Sequence, residues 1–342
     1  MLNRFLLVLT ILLFAALTFS VSVITPSFEA PDEMAHYYFV RYLWLNRALP
    51  ILQLNDMALD DPQYESFQPP VYYVLALAAA WPIADELSRP IYYKLNPFVT
   101  ADFNSLNSDN KNGLLHGGDD QFPYSSTPRA VHVLRLVSVA LGIVNALLLV
   151  QLGGLVFRQS EEVLAYGALA LFVPGYLYSF GVINNDNAII LAGTAITGLC
   201  WLLAEKPDSL FAWVGLAIVY GLATLSKLTA AGFVPAIALL VLMSWNKTTN
   251  RRHLIRNIGL LAGIWLMMTG WWFWRNISLY GELTGVHRMM LLTGEAGQNS
   301  WSHAWESVPW IWQSFWGRLA TQHFPLPRIV YDSFGVLTAL SL

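Results

Sequence analysis

Hydrophobic positions in this chain fall in long unbroken blocks rather than in an alternating pattern. The first block runs from Phe5 to Thr25, about 20 residues, the length that spans a bilayer. A secretory signal has an apolar core of roughly 7–15 residues and a small-x-small cleavage site. This block is longer and ends in Thr25-Pro26 without such a site, so it reads as a retained anchor. Further blocks of spanning length cover roughly 130–157, 163–182, 188–204, 210–226, 229–245 and 257–274, joined by short polar connectors. One interval breaks the rhythm: residues 26–129 separate the first block from the second. Within it Pro70 to Ala84 is apolar over about 15 residues, which suits an interfacial or re-entrant helix better than a crossing. The pattern predicts an all-α polytopic membrane protein, a single transmembrane helix bundle whose large first loop contains interfacial helices.

Beyond the last complete block, residues 275–328 hold Trp301, Trp305, Trp310, Trp312 and Trp316 among scattered Ser and Gln. Trp concentrates where lipid meets water, so this stretch is expected to include a helix lying in the interface. Val330 to Leu342 begins another apolar run of about 13 residues. That is too short to span, and it reads as the start of a further, truncated span.

Composition agrees with a lipid solvent. The chain is 56% hydrophobic and 12% charged, about half the charge density of a soluble domain. A net charge of −3 argues against a nucleic-acid partner, which calls for a basic patch. The lone Cys200 lies inside an apolar run, fitting neither a disulfide scaffold nor a zinc cluster. Charge also orients the bundle. The connector 246–257 carries Lys247, Arg251, Arg252 and Arg256 with no acid, and Arg4 precedes the first block. The positive-inside rule places both in the cytoplasm, with a cytoplasmic N-terminus. The 26–129 loop has 13 acids against 6 bases and falls outside. If 70–84 crossed, the basic connector would be forced outside as well.

Six features of the external side can carry chemistry. In Pro31-Asp32-Glu33-Met34-Ala35-His36, a carboxylate pair near the membrane can deprotonate an acceptor hydroxyl or bind a divalent cation. It can equally be the acidic first turn of a helix opened by Pro31. Phe67-Gln68-Pro69-Pro70-Val71-Tyr72-Tyr73 stiffens the entry to the interfacial helix. His132 and Arg135 lie near the outer end of the second block, where an ionisable group is costly. Arg135 can grip a phosphate or a carboxylate, or snorkel to the interface. Asn184-Asn185-Asp186-Asn187 is a tight external connector. Lys227 is the one charge in the hairpin Ser226-Lys227-Leu228, and Arg275 follows the collar Trp271-Trp272-Phe273-Trp274. Each suits a lipid phosphate or serves as a plain interface anchor. His303 and Glu306 share a helical face without further ligands nearby. No Walker loop, His-Glu-x-x-His or Gly-x-Ser-x-Gly occurs.

The order of these motifs resembles the integral-membrane glycosyltransferases of the GT-C fold. Within them it is similar to the protein mannosyltransferase and lipid A aminoarabinose transferase branch, and most similar to uncharacterised bacterial membrane proteins. The resemblance runs from Leu6 to Gly281. It implies a GT-C-like bundle in a bacterial plasma membrane, a polyprenyl-phosphate-linked sugar donor, and inverting transfer to an acceptor hydroxyl at the outer face. By position it implies Asp32 as general base with Glu33 beside it. It implies His36, Tyr72, Arg135, Asp186, Lys227 and Arg275 as substrate-binding residues, and it leaves the acceptor and any divalent cation open. Gln68 stands where the aminoarabinose transferases have lysine, so the positive charge for phosphate falls to Lys227 or Arg275. Two other readings stay open: a transporter or flippase for lipid-linked sugars, which would call for charges or broken helices at mid-membrane, and a non-catalytic subunit of the same fold.

Overall fold

The computed structural model describes residues 2–53, 62–89, 91, 93–99, 111–248, 250–294, 301–319 and 324–341. The anchor is one helix, α1 (Leu2–Ile24), with Phe5, Val8, Leu12 and Leu13 facing outward as lipid-exposed residues do. After a turn comes α2 (Glu33–Asn46), which starts two residues later than Pro31. A 3-10 turn at Gln63–Phe67 leads into α3 (Val71–Ala80) and the single turn α4 (Ala84–Leu87). Ten residues of helix rise about 15 Å, half the hydrocarbon thickness, so α3 does not cross. Its Tyr72, Tyr73, Ala76 and Ala80 are buried, while Val74 and Leu75 are exposed. A two-residue antiparallel pair, β1 (Lys94–Leu95) with β2 (Leu114–Leu115), completes the described part of the loop.

The bundle proper begins with α5 (Ser126–Val156), whose 31 residues rise about 46 Å and so extend beyond the hydrocarbon layer. The block 163–182 is two helices rather than one: α6 (Ser160–Leu171) and α7 (Pro174–Ser179). Pro174 is the cause. It pushes Val173 into extended backbone (φ −65°, ψ 122°), and the helix ends before it. Then follow α8 (Asp186–Glu205), α9 (Leu210–Thr224), α10 (Val234–Lys247, preceded by a 3-10 stretch from Leu228) and α11 (Arg251–Tyr280). Among the described residues five helices are long and apolar enough to cross a membrane, and α9 is a shorter apolar one. The chain is a multi-pass membrane protein. Its Trp-rich stretch folds as α12 (Val286–Thr293), α13 (Trp301–Glu306) and α14 (Val308–Gly317), then a strand pair β3 (Arg318–Leu319) and β4 (Phe324–Pro325), then α15 (Arg328–Ser341).

The helices alternate in direction, which sorts the connectors onto two ends. At one end Asn3 donates to Ser160 and Glu161, and Lys247 donates to the Ala204 carbonyl. The opposite end collects the C-terminus of α1, the first turns of α5, the turn at 180–185, the connector 225–228 and the C-terminus of α11. The 26–125 loop caps this second end. The first amide of α3, at Val71, donates to the Leu225 carbonyl at 2.9 Å, tying loop to bundle. Gly181 makes the closest approach. A side chain there would run into Val21 of α1, so glycine is what lets the 180–183 turn lie against that helix.

Candidate functional site

Asp32 and Glu33 are neighbours in sequence with opposite environments. The cause is local backbone: Asp32 sits in the left-handed region (φ 57°, ψ 2°), as does Phe28 (φ 66°). Asp tolerates that conformation better than most residues. The turn sends the Glu33 side chain inward and leaves Asp32 exposed.

Inside, Glu33 meets Arg135, and both side chains are fully buried. Arg135 Nε donates to Glu33 Oε1 at 2.7 Å and Nη2 donates to Oε2 at 2.6 Å, the bidentate fork that makes Arg the residue for buried carboxylates. The other guanidinium N–H groups donate to the carbonyls of Ser22 (3.0 Å), Thr25 and Pro26 (2.9 Å), which end α1. Glu33 also accepts from the amides of Phe28 and Ile183, each at 3.0 Å. All five Arg donors and both lone pairs on each Glu oxygen are engaged. Arg135 therefore has no N–H left for a phosphate, and Glu33 has no lone pair left for a proton or metal. The expected carboxylate pair does not act as a pair: Glu33 ties α1, α2, α5 and the 183 turn together, and only Asp32 faces outward.

Asp32 Oδ1 accepts a 2.7 Å hydrogen bond from the Tyr64 hydroxyl. Burial, and then the adjacent Asp32 charge, push the Tyr64 hydroxyl's pKa up, so it stays a donor. The two residues line a cavity of about 300 Å³ with Phe28, Met34, Tyr38 and Leu114. One wall is the β1–β2 pair, held by a buried carboxylate. Glu29 accepts from the amides of Gly113 and Leu114 at 2.9 Å and contacts His116 Nε2 at 3.0 Å. Asp120 lies 3.4 Å from His116 Nδ1, an ionic contact without hydrogen-bond alignment.

Behind Asp32 lies a second acid that the residue pattern did not single out. Glu65, on the same 3-10 turn as Tyr64, is buried. Burial raises its carboxyl to about 7; the Asp32 charge adds to the rise and the Lys227 ammonium opposes it. The Tyr73 hydroxyl lies 3.4 Å from Glu65 Oε2 and 2.9 Å from His36 Nδ1. Burial, then Lys227, lower His36 to about 3, so its ring is neutral and unreachable for a ligand, contrary to expectation. Asp186 and Lys227 do meet: Nζ lies 2.6 Å from Oδ1, and both side chains are partly open. Asn184 receives the Asp186 amide at 2.8 Å, and Asn185 reaches the Ser226 carbonyl at 3.4 Å, which sets the two connectors side by side.

Other expectations move away from the site. Tyr72 is fully buried between Ser138 (3.0 Å) and the Asn184 amide (3.1 Å), so it joins helices instead of binding a substrate; its neighbour Tyr73 is the one beside the acids. Arg275 donates to the Pro50 carbonyl at 2.6 Å and packs over Trp272, with no contact to Asp32 or Lys227. His132 stacks on Tyr124 and binds the Ser22 carbonyl. The His303 side chain lies outside the described residues. Among the described residues no three His, Cys, Asp or Glu side chains come together as metal ligands.

Residues 130–274 match the family described as dolichyl-phosphate-mannose-protein mannosyltransferase. No curated protein matches the sequence. Among solved structures the fold is similar to that titled "Structure of S. cerevisiae protein O-mannosyltransferase Pmt1-Pmt2 complex bound to the sugar donor". The TM-score is 0.51 at 13% identity over 80% of this chain. The chain spans about a third (34%) of the length of that one. Helix order, membrane bundle and capping loop together give this chain the fold of the GT-C integral-membrane glycosyltransferases.

Proposed function

We propose that the protein is a glycosyltransferase that moves a sugar from a polyprenyl-phosphate donor to an acceptor hydroxyl, with inversion, at the extracytoplasmic face. The observation that carries this reading is Asp32: an outward carboxylate on left-handed backbone, hydrogen-bonded by Tyr64 at the mouth of a cavity, at the end of the bundle where the connectors gather. The basic connector of Lys247, Arg251 and Arg252 is at the other end, and the positive-inside rule makes that end cytoplasmic in a bacterial plasma membrane.

In the reaction the acceptor oxygen attacks the anomeric carbon from the side opposite the phosphate. The C–O bond to the phosphate breaks, and its electron pair leaves on polyprenyl phosphate. The acceptor proton passes to Asp32, whose free Oδ2 takes it while Tyr64 holds Oδ1. Negative charge grows on the phosphate, and Lys227, paired with Asp186, is the cation we assign to meet it. Arg135 acts at a distance, by fixing Glu33 and so the turn that presents Asp32.

The test is direct. Purified protein incubated with polyprenyl-phosphate sugars and candidate acceptors should release polyprenyl phosphate. Asp32→Asn should lower transfer by a factor of roughly 100 or more, with Tyr64→Phe lowering it less. Transfer unchanged in Asp32→Asn would remove the base assignment.

The transporter reading gains one feature, the break at Val173-Pro174. No Asp, Glu, Lys or Arg occurs from Val163 to Asn185, and α14 packs against α7 through a close Gly175–Gly317 approach. The break is thus filled by protein and carries no charge for an ion or substrate.

A further inference from the structure

Glu65 has no part in the reaction described so far, and its surroundings are unusual for a carboxyl. Its side chain is 9% exposed, and among the described residues its one ion-pair partner is the neutral ring of His36, at 3.7 Å. Among the same residues Lys227 pairs with Asp186 and acts on Glu65 only through space. A buried carboxylate without a cation is costly, and such a group takes up a proton instead. The hydrogen bonds allow it. The Tyr73 hydroxyl reaches both Glu65 Oε2 and His36 Nδ1, and the His36 tautomer sets whether Nδ1 donates or accepts. With a proton on Glu65 and the His36 proton on Nε2, the chain from Glu65 to Tyr73 to His36 runs in one direction.

The groups facing Glu65 come from several elements. Asp32 precedes α2 and His36 lies on it; Tyr64 shares the 3-10 turn; Tyr72 and Tyr73 are on α3. Asp186 opens α8, and Lys227 precedes the 3-10 stretch before α10. Helix α12 packs on the same turn, but the charges there point elsewhere: its Arg288 donates to the Leu52 carbonyl, and Glu282, in the turn before it, accepts from the amides of His287 and Arg288. Asp32, Asp186 and Lys227 all act on Glu65 through space, so a proton on Glu65 removes one negative charge from that cluster.

We propose that Glu65 is an anion-admitting residue of the donor site: protonated, it lets the single negative charge of a lipid phosphate settle beside Lys227, and ionised, it repels that charge. This rests on the reading of the donor as a lipid phosphate. The raised carboxyl, about 7, puts the transition within the physiological range. Donor affinity is then highest on the acid side and falls as pH rises through that value. By linkage, bound phosphate raises the Glu65 pKa in turn.

The experiment uses the full chain in detergent and polyprenyl phosphomannose, a phosphodiester whose own charge is constant over the range. Infrared spectroscopy should show a protonated carboxylic C=O band that disappears as pH rises through about 7 and is missing from Glu65→Gln. The donor dissociation constant should rise roughly tenfold between about pH 5.5 and about pH 8.5. That slope should vanish in Glu65→Gln and persist in Glu65→Asp, and in turnover it should appear in KM and not in kcat. Donor binding that is flat with pH in the unaltered protein, or a C=O band untouched by Glu65→Gln, overturns the proposal while leaving the transferase reading in place. Failure of the phosphomannose to bind at any pH removes the donor reading and this proposal together. Transfer that survives Asp32→Asn removes only the base, since the binding slope does not depend on it.

Discussion

At the scale of residues, the pair Asp32–Glu33 shows how one backbone angle divides two similar side chains between structure and chemistry. Glu33 and Arg135 are 102 positions apart and fully buried against one another. Breaking one partner of such a pair costs about 3–5 kcal/mol, because the other charge is left unpaired in a low-dielectric interior. Arg135→Met and Glu33→Met should therefore each lower the thermal midpoint in detergent sharply. The double replacement should recover much of the loss, since two apolar side chains leave no charge uncompensated. Equal loss in the double variant would show that the five carbonyl and amide contacts matter more than the ion pair. The order of motifs made Asp32 visible in the sequence, but not the pairing of Glu33 with Arg135. A Glu at the start of a loop looks the same whether its side chain points in or out, and the positive φ that decides this is a tertiary outcome. Glu65 gave no signal either: it reads as one of 13 loop acids, and only burial distinguishes it.

At the scale of elements, the β1–β2 wall of the cavity hangs on charge. Burial opposes protonation of His116, but Asp120 and Glu29 outweigh it and raise the ring to about 9. A raised folded-state value means that the stabilisation is complete below the ordinary 6.5 and is lost as pH climbs through about 9. Amide hydrogen exchange at Leu95 and Leu114, corrected for its intrinsic pH dependence, should accelerate across that window. Glu29→Gln should show the faster exchange at all pH values. Unchanged protection above pH 9 would mean that the two Glu29 amide contacts suffice without the histidine. The helices themselves were legible from their apolar blocks. The exception is 163–182, where Pro174 ends α6 for steric reasons that apolar length does not register.

At the scale of the whole molecule, alternating helices bring the Asp32 turn, the Asp186 turn and the Lys227 hairpin to one end and the arginine-rich connector to the other. Single cysteines placed in a Cys200→Ser background test the orientation. Gln121→Cys, at an exposed position of the capping loop, should react with a membrane-impermeant maleimide added outside intact cells, and Thr248→Cys should react only after lysis. The reverse pattern would turn the site to the cytoplasm.

Sequence alone determined the solvent, the number and order of apolar blocks and the presence of a long loop between the first two. These follow from residue type summed along the chain: spanning length and charge density. Tertiary structure decided which acid faces a cavity, which arginine is unavailable, that Tyr73 and not Tyr72 stands beside the acids, and that Glu65 is buried. Those outcomes depend on distances between segments up to a hundred residues apart and on the loss of water around each group, and neither quantity is written in the order of residues.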